Sequence, residues 1–219
     1  MPMTGKVQGN TNEDKIKRIL DASLEVFSEF SFEDSTTDEI ASRSRISKRD
    51  LYAHFPNKQA LLMDVIMREM QTQERDFRET IASTAKLRSL RSKLNLIGIA
   101  LVEDILSPTM KVVRRLVISE SLKQPYLGNL FFERGVIQRC KHLGEVLAIH
   151  KKENTAMKLA ELESAAEHYF SLVAFFPSVM SEIGMRGKWT EEAIKKHVFL
   201  ATEHFLKAHP LFDLRCNDG

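Results

Sequence analysis

The sequence predicts an all-α protein, with roughly three short helices, a connecting helix and a bundle of about five longer helices. Apolar residues recur at intervals of three and four along nearly every segment, which is the spacing of an amphipathic helix. Capping residues, Pro and Gly stand where one such segment gives way to the next. Strand-like alternation of useful length, internal repeats and low-complexity tracts are absent from the sequence.

The first two helices have clear start signals. Thr11 and Asp14 have the spacing of a capping box, and an amphipathic face follows over residues 16–30. After a short loop, Thr36 or Thr37 caps a second helix, whose first turn is acidic as the helix dipole favours.

The third helix is short and basic. Ser47 is its predicted cap, and Pro56 ends it because Pro disfavours helical geometry in the residue before it. Leu51 and Phe55 are four residues apart, so both are expected to face inward. Helix, tight turn and short second helix form a helix-turn-helix motif over residues 36–55.

Composition excludes several classes of protein. The 219 residues are 43% hydrophobic and 28% charged, as in an ordinary soluble globular protein. No apolar run is long enough for a membrane helix, and the N-terminus lacks the apolar stretch of a signal peptide. Cys140 and Cys216 lack metal-site spacing and do not make a disulfide framework. We therefore expect a cytoplasmic protein without a membrane partner.

The distribution of charge along the chain is a better indicator of nucleic-acid binding than the net charge of +2. Residues 13–39 are rich in Asp and Glu, whereas residues 43–49 carry four cations and no acid: Arg43, Arg45, Lys48 and Arg49. A positive stripe on a short helix suits double-stranded DNA, and a helix-turn-helix offers the N-terminal residues of its second helix to base edges.

Individual roles follow from side-chain chemistry. Arg49 is the predicted base reader, because a guanidinium can bond guanine in two places at once. Lys48 and Tyr52 share a helix face and are expected at phosphates, as is Lys58 at the start of the next helix. His54 stands at the helix end.

Residues 14–62 resemble the DNA-binding domain of the TetR family of bacterial transcriptional regulators (TetR/AcrR-type). The resemblance lies in Ile19-Leu20-Asp21-Ala22, in Thr36-Thr37-Asp38-Glu39-Ile40-Ala41, and most strongly in the Leu-Tyr-x-x-Phe-x-x-Lys pattern within residues 46–62. The residues and the resemblance together predict these DNA-contacting positions: Thr36, Thr37, Arg43, Arg45, Ser47, Lys48, Arg49, Tyr52, His54 and Lys58.

The chain departs from the family pattern in three places. Arg45 stands where the family usually has the glycine of the turn, so either the turn differs or Arg45 is kept for a phosphate contact. Ser31 also replaces a frequent glycine. Asp50 replaces a common threonine; its spacing from Ser47 indicates a capping box, with a cytosine amino group as the alternative partner.

The bland alternatives are a solvated helix face for the basic stripe and a packing role for Tyr52. The resemblance implies five segments: a flexible arm (1–11), the DNA-binding domain (12–56), a connecting helix (57–80), a C-terminal regulatory and dimerisation domain (81–210) and a tail (211–219).

The resemblance is weaker beyond residue 70; it implies an inner cavity but not what fills it. The abundance of Met and Phe favours a small, hydrophobic or aromatic effector. Apolar candidates for the lining of the cavity, with His168 and Tyr169 as polar groups, are Met110, Val113, Leu116, Val117, Phe131, Phe132, Phe170, Val173, Phe176 and Met180. For each of these, an ordinary core position is the alternative.

The last two long helices are expected to form a homodimer interface, as in the family. An apolar stripe on the last helix is predicted to be exposed in a monomer: Ile194, His197, Val198, Ala201 and Phe205. His197 and His204 share a face without a third ligand, so we predict no metal site, and no cofactor is implied.

The expected function is that of a dimeric repressor that leaves a palindromic operator when its effector binds. An activator is a close variant. An enzyme on a helical bundle is a rival hypothesis, but the sequence has no nucleophile motif, glycine-rich phosphate loop or HExxH run. The other rival hypothesis is a helical interaction module without specific DNA binding.

Overall fold

The computed structural model describes residues 11–150, 159–185 and 189–212. Within these ranges every regular element is helical, so the all-α prediction is confirmed. Most of the predicted arm (1–10), most of the predicted tail (213–219) and Cys216 lie outside the described residues.

The chain forms two compact units, one up to Glu69 and one from Met70. The first contains α1 (Asn12–Glu29), α2 (Thr37–Ser44), α3 (Lys48–His54) and the start of α4 (Lys58–Ser83). The division falls inside α4, so the predicted boundary at 56/57 stays a prediction.

Side-chain caps determine where the helices of the first unit begin. Thr11 and Asp14 make the reciprocal bonds of a capping box. Thr36, rather than Thr37, caps α2 by accepting from the Glu39 N–H at 3.2 Å. These local bonds satisfy N–H groups that have no partner within the helix.

The caps of α3 and α4 follow the same chemistry. Ser47 caps α3 by accepting from the Asp50 N–H at 3.1 Å. The second bond of the predicted capping box, from the Ser47 N–H to the Asp50 carboxylate, is not among the bonds of the described residues. Asn57 caps α4 through a 2.8 Å bond from the Ala60 N–H. Leu51 and Phe55 are buried, as expected from their spacing.

The second unit continues α4 and adds six helices within the described residues. They are α5 (Leu90–Leu106), α6 (Pro108–Glu120), α7 (Pro125–Phe131), α8 (Gln138–Ile149), α9 (Leu159–Glu182) and α10 (Glu191–Ala208). A π-helical turn, Phe132–Ile137, joins α7 to α8.

The core of the second unit lies among α5, α8, α9 and α10. Tyr169 is fully buried there; its hydroxyl donates to the Leu94 carbonyl at 2.6 Å and lies 3.1 Å from Oγ1 of Thr202. Pro177 lies inside α9, which continues to Glu182.

Candidate functional site

Arg45 ends α2 in the left-handed conformation, with φ 54° and ψ 42°. The N–H groups of Arg45 and Ile46 donate to the carbonyls of Ser42 and Ala41, each at 3.1 Å, as at a helix end usually closed by glycine. The turn therefore keeps the geometry that glycine would adopt, and Arg45 bears a strain of about 1 kcal/mol. Its side chain is exposed and has no partner among the described residues.

Arg49 lies in the first turn of α3, where a helix-turn-helix presents residues to base edges. Its side chain is exposed and without a partner in the part of the chain that the structure describes. Tyr52 is 42% exposed, and its hydroxyl lies 3.0 Å from Oγ1 of Thr37 on α2. Two hydroxyls and a free guanidinium thus face solvent on α2 and α3.

Lys48 is exposed but paired with Asp38, with 2.5 Å between Nζ and Oδ1. The hydrogen bond that Lys48 donates to the Asp38 carboxylate raises the pKa of Lys48 above its ordinary value. An exposed pair of this kind is weak, so a phosphate can compete for the ammonium group. The sequence did not identify Asp38 as its partner.

Arg43 was predicted to contact DNA, but two carboxylates already engage its guanidinium. Both Nη atoms bond Glu29 at 2.6 and 2.7 Å, and Nε bonds Glu39 at 2.7 Å. These bonds, first of all that to Glu29, raise the pKa of Arg43. Arg43 therefore ties α1 to α2, and we leave it out of the DNA interface.

Lys58 was predicted to contact a phosphate, yet its ammonium group is used within the protein. Nζ donates to the carbonyls of Phe32, Glu33 and Ser35 at 2.6, 3.1 and 2.8 Å, which accounts for its three donors. It also lies 4.6 Å from the centre of the Phe32 ring. Lys58 fastens the loop between α1 and α2, and we also leave it out of the interface.

Of the remaining residues predicted to contact DNA, some use their polar atoms within the protein and the others leave them exposed. The hydroxyls of Thr36 and Ser47 serve as helix caps. Nε2 of His54 is buried and has no hydrogen-bond partner among the described residues. The side chains left for DNA form what we call the contact face: Thr37, Arg45, Lys48, Arg49 and Tyr52.

The predicted effector-pocket residues lie in different surroundings within the described structure. Those on α6 are buried, whereas Tyr169 and Val173 belong to the core between α5, α9 and α10. Phe132 and Phe176 are exposed, at 53% and 62%. His168 is exposed, and Phe131, Phe170 and Met180 are partly buried. Tyr169 and Val173 are four residues apart on the core side of α9; Phe176 has the spacing of the same stripe, seven residues after Tyr169, but is exposed.

One small cavity does involve a predicted residue, Met110. It lies among α4, α6 and the π-helical turn, has a volume of about 10 Å³, and is lined by Met70, Gln73, Glu74, Met110, Arg134, Gly135 and Arg139. Arg139 bonds Asp104 at 2.5 Å. Sequence reasoning missed this pair because its members are 35 residues apart.

The predicted dimer stripe is wrong. Ile194, Val198, Ala201 and Phe205 are buried in the core of their own chain. His197 is partly buried, with Nε2 2.9 Å from the Val173 carbonyl oxygen. Six exposed apolar side chains of α9 and α10 make up what we call the apolar face: Leu172, Phe175, Phe176, Val179, Phe199 and Leu200.

The error has a physical reason. Helix α10 has apolar residues on two sides, and periodicity identifies each side without saying which one meets the core. The signal for the second side was present in Phe199 and Leu200. A groove next to the apolar face is lined by His168, Leu172, Phe175, His204 and His209, with 3.3 Å between Nδ1 of His168 and Nε2 of His209.

Across residues 11–150, 159–185 and 189–212, no group of three or more His, Cys, Asp or Glu side chains is arranged to hold a metal ion. None of the helices described there combines the length and hydrophobicity needed to cross a membrane.

Comparison with known proteins gives the family. Residues 19–65 match the model of bacterial regulatory proteins of the tetR family, and residues 92–209 match that of the C-terminal domain of AefR-like transcriptional repressors. The HTH-type transcriptional regulator RutR of Escherichia coli K12 is 34% identical over 84 residues, covering 36% of this chain. The chain spans 40% of the length of RutR.

Solved structures agree in fold. A TetR-family regulator from Mesorhizobium loti has a TM-score of 0.81 at 17% identity, covering 91% of this chain and 98% of its own. The flavonoid-responsive regulator FrrA has a TM-score of 0.68 at 26% identity, covering 90% of this chain and 97% of its own. The family and the relatives are transcriptional regulators and not enzymes. The chain belongs to the TetR family of bacterial transcriptional regulators.

Proposed function

We propose that this regulator is a dimeric repressor that binds a palindromic operator through the contact face and leaves it when a small effector binds. One observation carries the proposal: Arg49 is exposed and unpartnered among the described residues in the first turn of α3. Arg45 is exposed in the turn between α2 and α3. The hydroxyls of Thr37 on α2 and Tyr52 on α3 form an exposed pair in the same motif.

The side chains of the contact face have different roles in this proposal. Arg49 reads a guanine through two hydrogen bonds, which discriminates against other bases by about 1–3 kcal/mol. Arg45 and Lys48 neutralise phosphates, and Lys48 exchanges Asp38 for a phosphate oxygen. Tyr52 and Thr37 bond the sugar-phosphate backbone and keep α3 in register.

The dimer forms, in this proposal, through the apolar face of α9 and α10. Phe175 is 65% exposed and Phe199 is 50% exposed. Large apolar side chains exposed in this number on two neighbouring helices support an interface between proteins. A symmetric dimer presents two copies of α3 to a two-fold operator, with half-sites one helical turn or a multiple apart.

Effector control is the third part of the proposal. FrrA, 26% identical over most of both chains, is described as flavonoid-responsive, which supports a small and largely aromatic effector for this chain. Such a molecule shifts the regulator away from DNA only by binding the released state more tightly than the DNA-bound state. The proposal places the protein in the cytoplasm, where it meets its operator.

Operator binding tests the recognition helix. A preferred DNA sequence is selected from a random duplex library with the wild-type protein, and binding is then measured by fluorescence anisotropy. Arg49→Ala should weaken binding to that sequence by roughly 10–100-fold. Arg88→Ala, which removes an exposed arginine from the second unit, is the control and should bind like wild type.

Two results contradict this assignment. Selective binding that Arg49→Ala leaves unweakened would assign base reading to another residue. Binding that is absent or insensitive to salt would favour a helical interaction module instead of a DNA-binding regulator.

A second experiment tests the dimer. Phe175→Glu should convert the protein to a monomer in light-scattering measurements, because a carboxylate would be buried in the interface. Leu122→Glu changes a side chain that is 91% exposed on the α6–α7 connection and should leave the dimer intact. If wild-type protein is monomeric, the apolar face has another role.

A reporter gene placed behind the selected operator distinguishes repression from activation. Repressor activity lowers expression of the reporter when the protein is present, and activator activity raises it.

A further inference from the structure

The cavity among α4, α6 and the π-helical turn is small. Its volume of about 10 Å³ holds about one water molecule. Two of its walls are the side chains of Met70 and Met110. Methionine is flexible and polarisable, so these walls can move aside for an apolar group without leaving a polar atom unpaired.

A fixed, buried cation lines this cavity. Arg139 is 8% exposed, bonds Asp104 at 2.5 Å and donates to the Gly135 carbonyl at 3.2 Å. Its guanidinium also lies 5.7 Å from the centre of the Phe77 ring. These contacts hold the group in place, and the bonds use only part of the five N–H donors of an arginine. An acceptor that enters the cavity meets a cation that is already desolvated and oriented.

A second cation at the cavity has no counter-charge. Arg134 lines the cavity and has no partner among the described residues. The acid at the cavity, Glu74, bonds Arg78 at 2.7 Å. Glu74 and Asp104 each bond another arginine, so neither is paired with Arg134, which lines the cavity and is exposed to solvent.

The third wall is the π-helical turn. Phe132–Ile137 carries more residues per turn than the α-helices on either side, and such turns are frequent at functional sites. Gly135 in this turn faces Met70; a Cβ there would lie 3.4 Å from Met70 Cε. Rearrangement of this turn can widen the cavity while α7 and α8 remain helical.

We infer that this cavity is the closed form of the effector site, and that its occupant is an amphipathic organic anion. The acidic group binds between Arg139 and Arg134, and the apolar body displaces Met70 and Met110 beside the π-helical turn. The identification as an effector site rests on the proposed function, whereas binding of an organic anion does not depend on it.

A pair of fluorescent probes tests the ligand class. 1-Anilinonaphthalene-8-sulfonate carries an aromatic body and an anionic group, and N-phenyl-1-naphthylamine has the same aromatic body without the charge. Wild-type protein should bind the sulfonate at one site per protomer and more tightly than the neutral probe. Arg134→Gln should weaken sulfonate binding roughly tenfold, the magnitude of a lost charge-assisted hydrogen bond, and leave the neutral probe unaffected.

Matched variants locate the site. Arg115→Gln removes an exposed arginine of α6 that does not line the cavity and should bind both probes like wild type. Gly135→Leu should fill the cavity and weaken both probes. The double variant Asp104→Asn/Arg139→Gln removes both members of the buried pair, so no charge is left unpaired. If it does not fold, Arg134→Gln and Gly135→Leu decide the question.

Three results would overturn the inference. They are no sulfonate binding to wild type, equal loss of both probes on Arg134→Gln, and sulfonate binding that Gly135→Leu leaves unchanged. Operator binding is measured on the same samples. If wild-type protein binds the sulfonate as expected but does not bind an operator, the proposed function is contradicted and the anion site is supported. If it binds an operator but the probes do not behave as expected, the anion site is contradicted and the proposed function is unaffected.

Discussion

The hydroxyl of Tyr52 on α3 lies 3.0 Å from Oγ1 of Thr37 on α2. This contact joins the two helices of the helix-turn-helix motif through groups that both face solvent. The same hydroxyls are therefore positioned by each other before DNA arrives, and each keeps lone pairs for a further partner.

The first prediction concerns this pair. Tyr52→Phe keeps the ring and removes the hydroxyl, so it should weaken operator binding by roughly 3–10-fold, the cost of one or two hydrogen bonds. Thr37→Val should do the same. The double variant should lose less than the sum of the two if the hydroxyls act as a pair. Anisotropy titrations measure this, and additive losses would mean that each hydroxyl contacts DNA independently.

The second prediction separates strain from charge at Arg45. Arg45→Gly relieves the left-handed backbone strain, whereas Arg45→Ala keeps it. The glycine variant should therefore be more stable than the alanine variant by about 1 kcal/mol in urea unfolding.

Both Arg45 variants lose the cation, so both should bind the operator more weakly, with the salt dependence reduced by about one phosphate contact. Arg45→Lys is the control and should retain most of the salt dependence. If Arg45→Gly binds DNA like wild type, Arg45 does not contact phosphate.

The third prediction concerns Lys58. Lys58→Met should destabilise the first unit by about 1–3 kcal/mol, because it leaves three loop carbonyls without their donor. Gln59→Met, at the neighbouring exposed position, is the control and should cost much less. Urea unfolding measures the difference. A stable Lys58→Met variant that binds DNA with a reduced salt dependence would instead make Lys58 a phosphate contact.

The fourth prediction is a pH dependence. Burial, and then the neighbouring His168, lower the pKa of His209 below its ordinary value of 6.5. The unfolded chain therefore takes up this proton at higher pH than the folded chain. The stabilising contribution of neutral His209 is present above pH 6.5 and is lost as pH falls through the lower folded value.

Thermal unfolding between about pH 7.5 and about pH 5 measures this effect. The melting temperature of wild type should fall more steeply towards acid than that of His209→Gln. His204→Gln removes an exposed histidine of α10, the helix that His209 follows, and should behave like wild type. Parallel pH profiles for wild type and His209→Gln would contradict the prediction.

Much of the local structure was predictable because helix starts depend on residues that are close in the chain. Thr11, Ser47 and Asn57 each bond an N–H three residues away, so their cap chemistry is visible in the sequence. The Glu39–Arg43 ion pair is a spacing of four, which could have been recognised in the same way.

Long-range partners were not predictable. The carbonyls that hold Lys58 lie 23 to 26 residues before it, and Glu29 lies 14 residues before Arg43. Only the packing of the helices brings these groups together. As a result, two side chains that look like free cations in the sequence are structural residues in the fold.

The sequence by itself determined the all-α class, the helix-turn-helix motif and the position of Arg49 in the first turn of α3, because periodicity, caps and Pro act over a few residues. Tertiary structure alone decided which of the cations are free, which apolar side of α10 meets the core, and that Arg139 pairs with Asp104 beside a cavity. These outcomes depend on which helices pack together, and a single helix does not encode its neighbours.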